Sequence, residues 1–166
     1  MSTANLPAAA NAARPLANAG ESSDLVTMKI ADQMFGIPVL QVNDVLSPQK
    51  ITRIPLTPPE IAGSLNLRGR IVTVIDVRSR LGLPQLDAKL ERMSIVVDHH
   101  GELYSLLIDQ VGEVMSLSNA DFEPNPPTLD KRWREVALGI YRLQQSLLVV
   151  LDVARLLDFV NTDDAV

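Results

Sequence analysis

Few side chains in this 166-residue chain could support bond-making chemistry. Cysteine is missing, which removes disulfides, thiolate metal sites and thiol nucleophiles and makes a reducing cytoplasm the easier home. The two histidines, His99 and His100, are adjacent. Neighbours on a strand point to opposite faces, and metal centres ordinarily converge three or four ligands, so the pair reads as an exposed turn rather than a chelator. Asp76 and Asp152 each end an apolar run just ahead of a short helical pattern, where a carboxylate caps the helix; as a catalytic pair they would lack a base and a pocket. The sequence carries no phosphate loop, dinucleotide fingerprint or G-x-S-x-G elbow. No catalytic residue, metal or cofactor is expected.

Binding chemistry is better represented. Asn66-Leu67-Arg68-Gly69 stands between the apolar segments 61–65 and 71–75. Gly69 suits a positive φ, and Asn66 can fold its side chain onto the local backbone. Neither need calls for Arg68 or Arg70, whose guanidinium groups would project and suit carboxylates on a protein partner. From Lys50 to Arg80 there are six basic residues (Lys50, Arg53, Arg68, Arg70, Arg78 and Arg80) and two acidic ones (Glu60 and Asp76), in a chain of net charge −5. That excess is either solvated charge spread around the fold or a patch for an acidic protein partner. The overall acidity, with a pI near 4.9, opposes binding to phosphate backbones.

The elements that must position these residues come from an internal repeat. Phe35-Gly-Ile-Pro-Val-Leu-Gln-Val-Asn-Asp-Val-Leu-Ser47 matches Tyr104-Ser-Leu-Leu-Ile-Asp-Gln-Val-Gly-Glu-Val-Met-Ser116 at a constant offset of 69. Leu67-Arg-Gly-Arg-Ile-Val-Thr-Val-Ile-Asp-Val-Arg-Ser-Arg-Leu81 matches the stretch Leu143 to Leu157 at an offset of 76. The second copy therefore carries seven more residues in its middle loop, between Ser116 and Ala137. Hydrophobic residues make up 46% and aromatics only 4%, so the core is aliphatic and suits strands packed on strands. Period-two alternation and short apolar runs place strands at 28–30, 35–39, 42–46, 51–54 and 71–77, with a hairpin at 31–34. In the second copy they fall at 93–97, 103–108, 112–117, 137–142 and 147–152, with a turn at 98–102. Five strands per copy suit a small closed barrel, and units of about 60 residues bury too little alone, so the two should share an apolar seam. Helical turns are expected at 58–63, capped by Thr57, and at 78–83, with a closing helix at 153–160. Residues 1–23 lack a basic n-region and an uninterrupted apolar h-region and read as a flexible tail, and 161–166 as a C-terminal tail. No apolar run approaches the roughly 20 residues of a membrane span.

The stretch Ile61 to Gly82, with its Asn-Leu-Arg-Gly turn and Ile-Asp-Val-Arg, resembles the signature of CheW-type chemotaxis coupling proteins. Val42-Asn43-Asp44-Val45 is similar to the family's V-x-E-(I/V), with Asp44 in place of the usual glutamate; Thr73 stands where the family has proline. Val111 to Ser116 and Ala137 to Ile140 resemble its second half. The similarity covers about residues 24–160. It implies an all-β fold of two five-stranded SH3-like barrels, the first at about 24–84 and the second at about 91–152. It implies an adaptor without catalysis that binds a methyl-accepting receptor's cytoplasmic tip and the regulatory domain of the chemotaxis histidine kinase, with no nucleic acid and no membrane insertion. By position, the implied receptor contacts are Val42, Asp44, Gly63, Asn66, Leu67 and Arg68. Kinase contacts are expected at Val111, Glu113, Phe122 and Gly139. The loop at 118–135, with Pro124, Pro126, Pro127 and Trp133, is either a partner face or a place where Trp133 caps the barrel. Alternatives are an adaptor of a non-flagellar chemosensory pathway, such as one for pili, and a small-ligand or nucleic-acid-binding barrel, which the scarcity of aromatics opposes. The same fold serves as the regulatory end of a kinase, but this chain shows no ATP-binding elements.

Overall fold

The computed structural model describes residues 21–86 and 90–160. β1 (Ser22–Ile30) and β2 (Gln33–Pro38) form an antiparallel hairpin, and a 3-10 turn, Val39–Gln41, leads into β3 (Val42–Leu46). β4 (Ile61–Leu67) and β5 (Arg70–Asp76) form a second hairpin, followed by the helical turn α1 (Val77–Arg80). The second copy repeats this plan: β6 (Ser94–His99), β7 (Glu102–Leu107) and β8 (Gln110–Ser118), then β10 (Ala137–Arg142), β11 (Leu147–Leu151) and α3 (Val153–Leu156). Its longer middle loop adds β9 (Phe122–Glu123) and the helical turn α2 (Lys131–Arg134).

The strands form two sheets, ordered β8-β1-β2-β11-β10-β9 and β3-β6-β7-β5-β4. The barrels are therefore not the consecutive stretches 24–84 and 91–152 that the repeat suggested. Each takes a hairpin from the other copy: β1–β2 pairs with β8 and, in parallel, with β11, while β6–β7 pairs with β3 and, in parallel, with β5. Duplication makes the two hairpins near-equivalent, so strand periodicity cannot say which copy each one joins. The three-residue link Val39–Gln41 carries the chain onward into the neighbouring sheet instead of back beside β2. The sheet containing β4 and β5 is called barrel 1 below, and the other barrel 2.

Exchange explains the burial pattern. Val72 and Val74 of β5 and Val96 of β6 point into barrel 1, while Ile75, Ile95 and Val97 lie in a layer between the barrels. Leu148 and Val150 of β11 likewise fill barrel 2, and Val149 and Leu151 enter the shared layer. That layer, with Met28, Phe35, Ile37, Leu106 and Ile140, is the largest core cluster and outweighs either barrel interior. Strands buried on both faces read as continuous apolar runs, as Leu147–Leu151 does. α3 continues in a further turn whose Val160 N–H donates to the Leu157 carbonyl at 3.0 Å, and Leu156, Leu157 and Val160 cover the layer.

Three local expectations change. The segment 58–63 is not a helical turn: β4 starts at Ile61, and Thr57 Oγ1 donates to the Ile54 carbonyl instead of capping a helix. The strand at 51–54 reduces to one bridge, Thr52 with Ser64, which closes barrel 1 against β4. β1 begins within the supposed tail, at Ser22; the tail expectations for 1–20 and 161–166 lie outside the described residues. Among the described residues no helix is long and apolar enough to cross a membrane.

Candidate functional site

The β4–β5 hairpin ends on the pair Leu67–Arg70, leaving a two-residue turn, Arg68-Gly69. Both residues have positive φ, 52° and 86°, as tight hairpin turns require. Asn66 Oδ1 accepts the Gly69 N–H at 2.9 Å and fixes the turn. On β3 a bulge between Val42 and Asp44 re-aims the strand. Asp44 Oδ1 accepts the Val45 N–H at 2.8 Å, and its Oδ2 accepts Arg68 Nη2 at 2.9 Å. The Arg68 side chain is 75% exposed and that of Asp44 26%. So exposed a pair adds at most about 1 kcal/mol to stability. Its effect is to hold one edge of the guanidinium while the other donors face solvent, set to take a partner's carboxylate in a fixed direction.

Asp44, Asn66, Leu67 and Arg68 thus meet at one end of barrel 1, with Leu67 half-buried against its core and Arg70 and Ile71 exposed beside them. The other two expected receptor contacts do not join this face. Val42 packs against the inter-barrel layer. Gly63 is buried at φ 148°, where a Cβ would meet the Thr52 carbonyl oxygen and, at 2.9 Å, Ile51 Cγ2. Its absence of a side chain serves the backbone approach that closes the barrel.

Of the residues expected to contact the kinase, Val111 and Glu113 lie on β8, with Glu113 exposed and its carbonyl accepting Thr27 Oγ1 at 2.6 Å. Phe122 and Gly139 face each other instead: the Phe122 ring and the Glu123 carbonyl occupy the space a Cβ at Gly139 would need. Phe122 also stacks obliquely on Tyr141, 5.4 Å between centroids, in the barrel 2 core. Trp133 is used internally: its Nε1 donates to the Leu81 carbonyl at 3.1 Å, and its ring meets Phe35 edge-on at 5.3 Å.

One cluster was not anticipated. Where β7 crosses to β8, Asp109 accepts Arg78 Nε and Nη2 at 2.9 and 2.7 Å and the Ala31 N–H at 2.8 Å. Arg78 Nη1 donates to the Pro84 carbonyl, 2.6 Å, and Arg92 Nη2 to Asp76 Oδ1, 3.1 Å. Burial pushes the Asp109 carboxyl up, but the Arg78 hydrogen bond, the Ala31 N–H and the charges of Arg78 and Arg92 outweigh it and hold it below its ordinary value. The hydrogen bond to Asp109 outweighs desolvation at Arg78, whose pKa is raised. Two cations and two anions tie α1, the β1–β2 turn and the crossing strand together at the barrel junction. Arg92 and Asp109 lie far in sequence from Asp76 and Arg78, of which the sequence marks Asp76 as a cap and Arg78 only as one of the basic residues between Lys50 and Arg80; Asp76 does accept the Arg78 and Ser79 N–H groups. Asp152 caps α3 in the same way.

The histidines part company. His100, φ 55°, forms the β6–β7 turn with Gly101, but His99 ends β6 and is buried, not exposed. Burial and then the neighbouring His100 lower its pKa, against the opposing charges of Asp158, Asp98 and Asp152. Among the described residues no group of three or more histidines and carboxylates could hold a metal ion.

Two SH3-like barrels that exchange hairpins, share one apolar layer and display an arginine turn define a duplicated β scaffold. Residues 24–160 match the family model of the CheW-like domain, and the chain belongs to that family. It is 29% identical over 128 residues to the chemotaxis protein CheW of Helicobacter pylori, covering 77% of each chain. It is 28% identical over 142 residues to CheW of Bacillus subtilis, covering 86% of this chain and 91% of that one. The crystal structure of the scaffolding protein TtCheW from Thermoanaerobacter tengcongensis superposes with a TM-score of 0.70 at 30% identity, covering 78% of this chain and 88% of that one.

Proposed function

We propose that this protein is a chemotaxis adaptor that binds the cytoplasmic tip of a methyl-accepting receptor and the regulatory domain of the chemotaxis histidine kinase, in the cytoplasm at receptor arrays, and catalyses nothing itself. The observation that carries this reading is the Arg68 guanidinium, exposed on a rigid turn and oriented by Asp44, in a chain of the CheW-like family. Asp44, Asn66, Leu67 and Arg68 form the receptor face. A carboxylate on the receptor completes the donor set of Arg68. The kinase takes β8, where Glu113 is exposed and Val111 half-buried against the inter-barrel layer; Phe122 and Gly139 support it from inside.

Arg68→Glu places like charge beside Asp44 and removes the donor. Binding to a receptor cytoplasmic fragment should fall by about 2 kcal/mol, roughly thirtyfold, as at interface arginines generally. Calorimetric titration reads the affinity, and circular dichroism should report an unchanged fold. Wild-type affinity for the receptor fragment in this variant rules out the assignment of Arg68.

A further inference from the structure

The internal repeat extends to strand register, and it puts a counterpart of the Arg68 site on barrel 2. On β3, Val42, Val45 and Leu46 pair with Val97, Ile95 and Ser94 across a bulge between Val42 and Asp44. At the offset of 69, Val111, Val114 and Met115 of β8 pair with Met28, Val26 and Leu25 across a bulge between Val111 and Val114. Glu113 therefore stands where Asp44 stands. The turns correspond as well. Asn66 pairs with Ile71 and Leu65 with Val72; at the offset of 76, Arg142 pairs with Leu147 and Tyr141 with Leu148. Gln144-Gln145 takes the place of the Arg68-Gly69 turn, without its positive φ.

The chemistry at the two places differs in sign. In barrel 1 both carboxylate oxygens of Asp44 are used, by the Val45 N–H and by Arg68. In barrel 2 a neutral glutamine replaces the arginine. Glu113 is exposed, and its carboxylate makes no ion pair among the described residues. Arg142, on the same hairpin as Gln144, is held by Glu123 at 3.0 Å. Lys29 lies opposite Gln110, about 10 Å along β8 from Glu113 at strand rise. Next to Glu113, Val114 is 55% exposed, as its counterpart Val45 is at 39%. A lone surface glutamate is ordinarily solvated charge. This one occupies, in the same register, a position whose duplicate binds a guanidinium.

We propose that Glu113 takes a guanidinium supplied by the kinase regulatory domain, and that position 144 decides which partner each barrel accepts. This deepens the adaptor reading above and rests on its seating of the kinase at β8. The partner's arginine completes in trans the acid–arginine pair that Arg68 completes in cis, with its aliphatic stem on Val114. Gln144 leaves the acid open for it. Lacking a fixed guanidinium, barrel 2 also turns away the receptor carboxylate, which Glu113 repels. Two barrels of one fold thus present opposite charge at equivalent positions, so neither partner competes for the other's site.

The test titrates the full chain against the kinase regulatory domain and, separately, a receptor cytoplasmic fragment. Glu113→Gln should lower kinase affinity about tenfold or more and flatten its salt dependence, with receptor affinity within about twofold of wild type. Gln144→Arg supplies the guanidinium in cis and should lower kinase affinity by a similar factor. Gln144→Ala, which adds no cation, should leave it within about twofold of wild type. Both positions are exposed, so the melting temperatures should hold. Kinase affinity within about twofold of wild type in Glu113→Gln overturns the inference. So does an equal loss in Gln144→Arg and Gln144→Ala, an equal loss for both partners, or a lowered melting temperature. If the wild type binds neither fragment, the adaptor reading and this inference fall together; if it binds both and the Glu113→Gln and Gln144→Arg variants match it, only the inference falls.

Discussion

At the scale of single residues, the charged groups of this protein divide by burial into those that act outward and those that act inward. Arg68, mostly solvated, gains little from Asp44 and keeps donors free. Arg78 spends its donors on Asp109 and Pro84 inside the molecule. Both arginines stand near a strand end in the same repeat copy, and nothing local in the sequence separates them; their partners, Asp44 and Asp109, are set by tertiary structure. His99 was misread for a related reason. Its place in a turn-like run of Asp-His-His-Gly suggested exposure, but strand β6 extends through it and turns it onto the protein. Because burial and His100 lower its pKa, the unfolded chain binds a proton there more readily than the folded one. This part of the stability should be complete above about pH 6.5, the ordinary histidine value, and decline as pH falls below it toward the lower folded value. Urea unfolding of wild type and His99→Gln between pH 5 and 8 checks the sign. A wild-type stability that instead rises on acidification through this range, relative to the variant, contradicts it.

At the scale of elements, the hairpins were legible and the closing segments were not. Alternation of Met28, Ile30, Phe35 and Ile37 and the turn runs at Ala31, Arg68-Gly69 and His100-Gly101 mark strand pairs by local chemistry, and the structure places positive φ at each of these turns. The stretch from Ile51 to Gly63 misled because Pro58-Pro59 with Thr57 looks like a helix start, whereas the decisive contact is long-range within the loop: Thr52 bridging Ser64. Gly63 permits that bridge, and the resemblance to a binding signature hid this structural task. Gly63→Ala would force a Cβ against the Thr52 carbonyl and Ile51 in an unfavourable backbone region. The expected cost is about 2–3 kcal/mol of stability, typical of overpacked sites. Thermal unfolding should show the loss. Any decrease in receptor binding should then be recovered by lowering the temperature, since the Arg68 face itself is untouched; a stable Gly63→Ala protein with lost binding would return Gly63 to the contact list.

At the scale of the whole molecule, the sequence repeat revealed two barrels but not that they exchange hairpins, because equivalent strands offer equivalent partners. The consequence is energetic. Residues 21–86 contain the hairpin that completes barrel 2 and lack the one that completes barrel 1; residues 90–160 have the reverse deficiency. Each half would also expose its share of the inter-barrel layer, where Phe35, Ile37, Ile75 and Val77 meet Ile95, Leu106, Ile140 and Val149. At about 25 cal/mol per Å² of apolar surface, exposing such a layer costs more than a small domain's whole margin of roughly 5–15 kcal/mol. Neither half should fold alone, and mixed together they should associate into one native-like complex, since the break falls between elements and every strand regains its neighbours. Separate expression of 21–86 and 90–160, followed by mixing, circular dichroism and size exclusion, gives the answer. Cooperative unfolding of either half as a monomer contradicts the exchanged arrangement. So does a mixture that stays unfolded while the intact chain folds under the same conditions. If the halves do reassemble, the two partner faces are bound to a single cooperative unit: the exchanged hairpins and the Arg78–Asp109 clamp hold the Arg68 turn at a fixed orientation to β8, so a partner seated on one barrel cannot tilt it without straining the other.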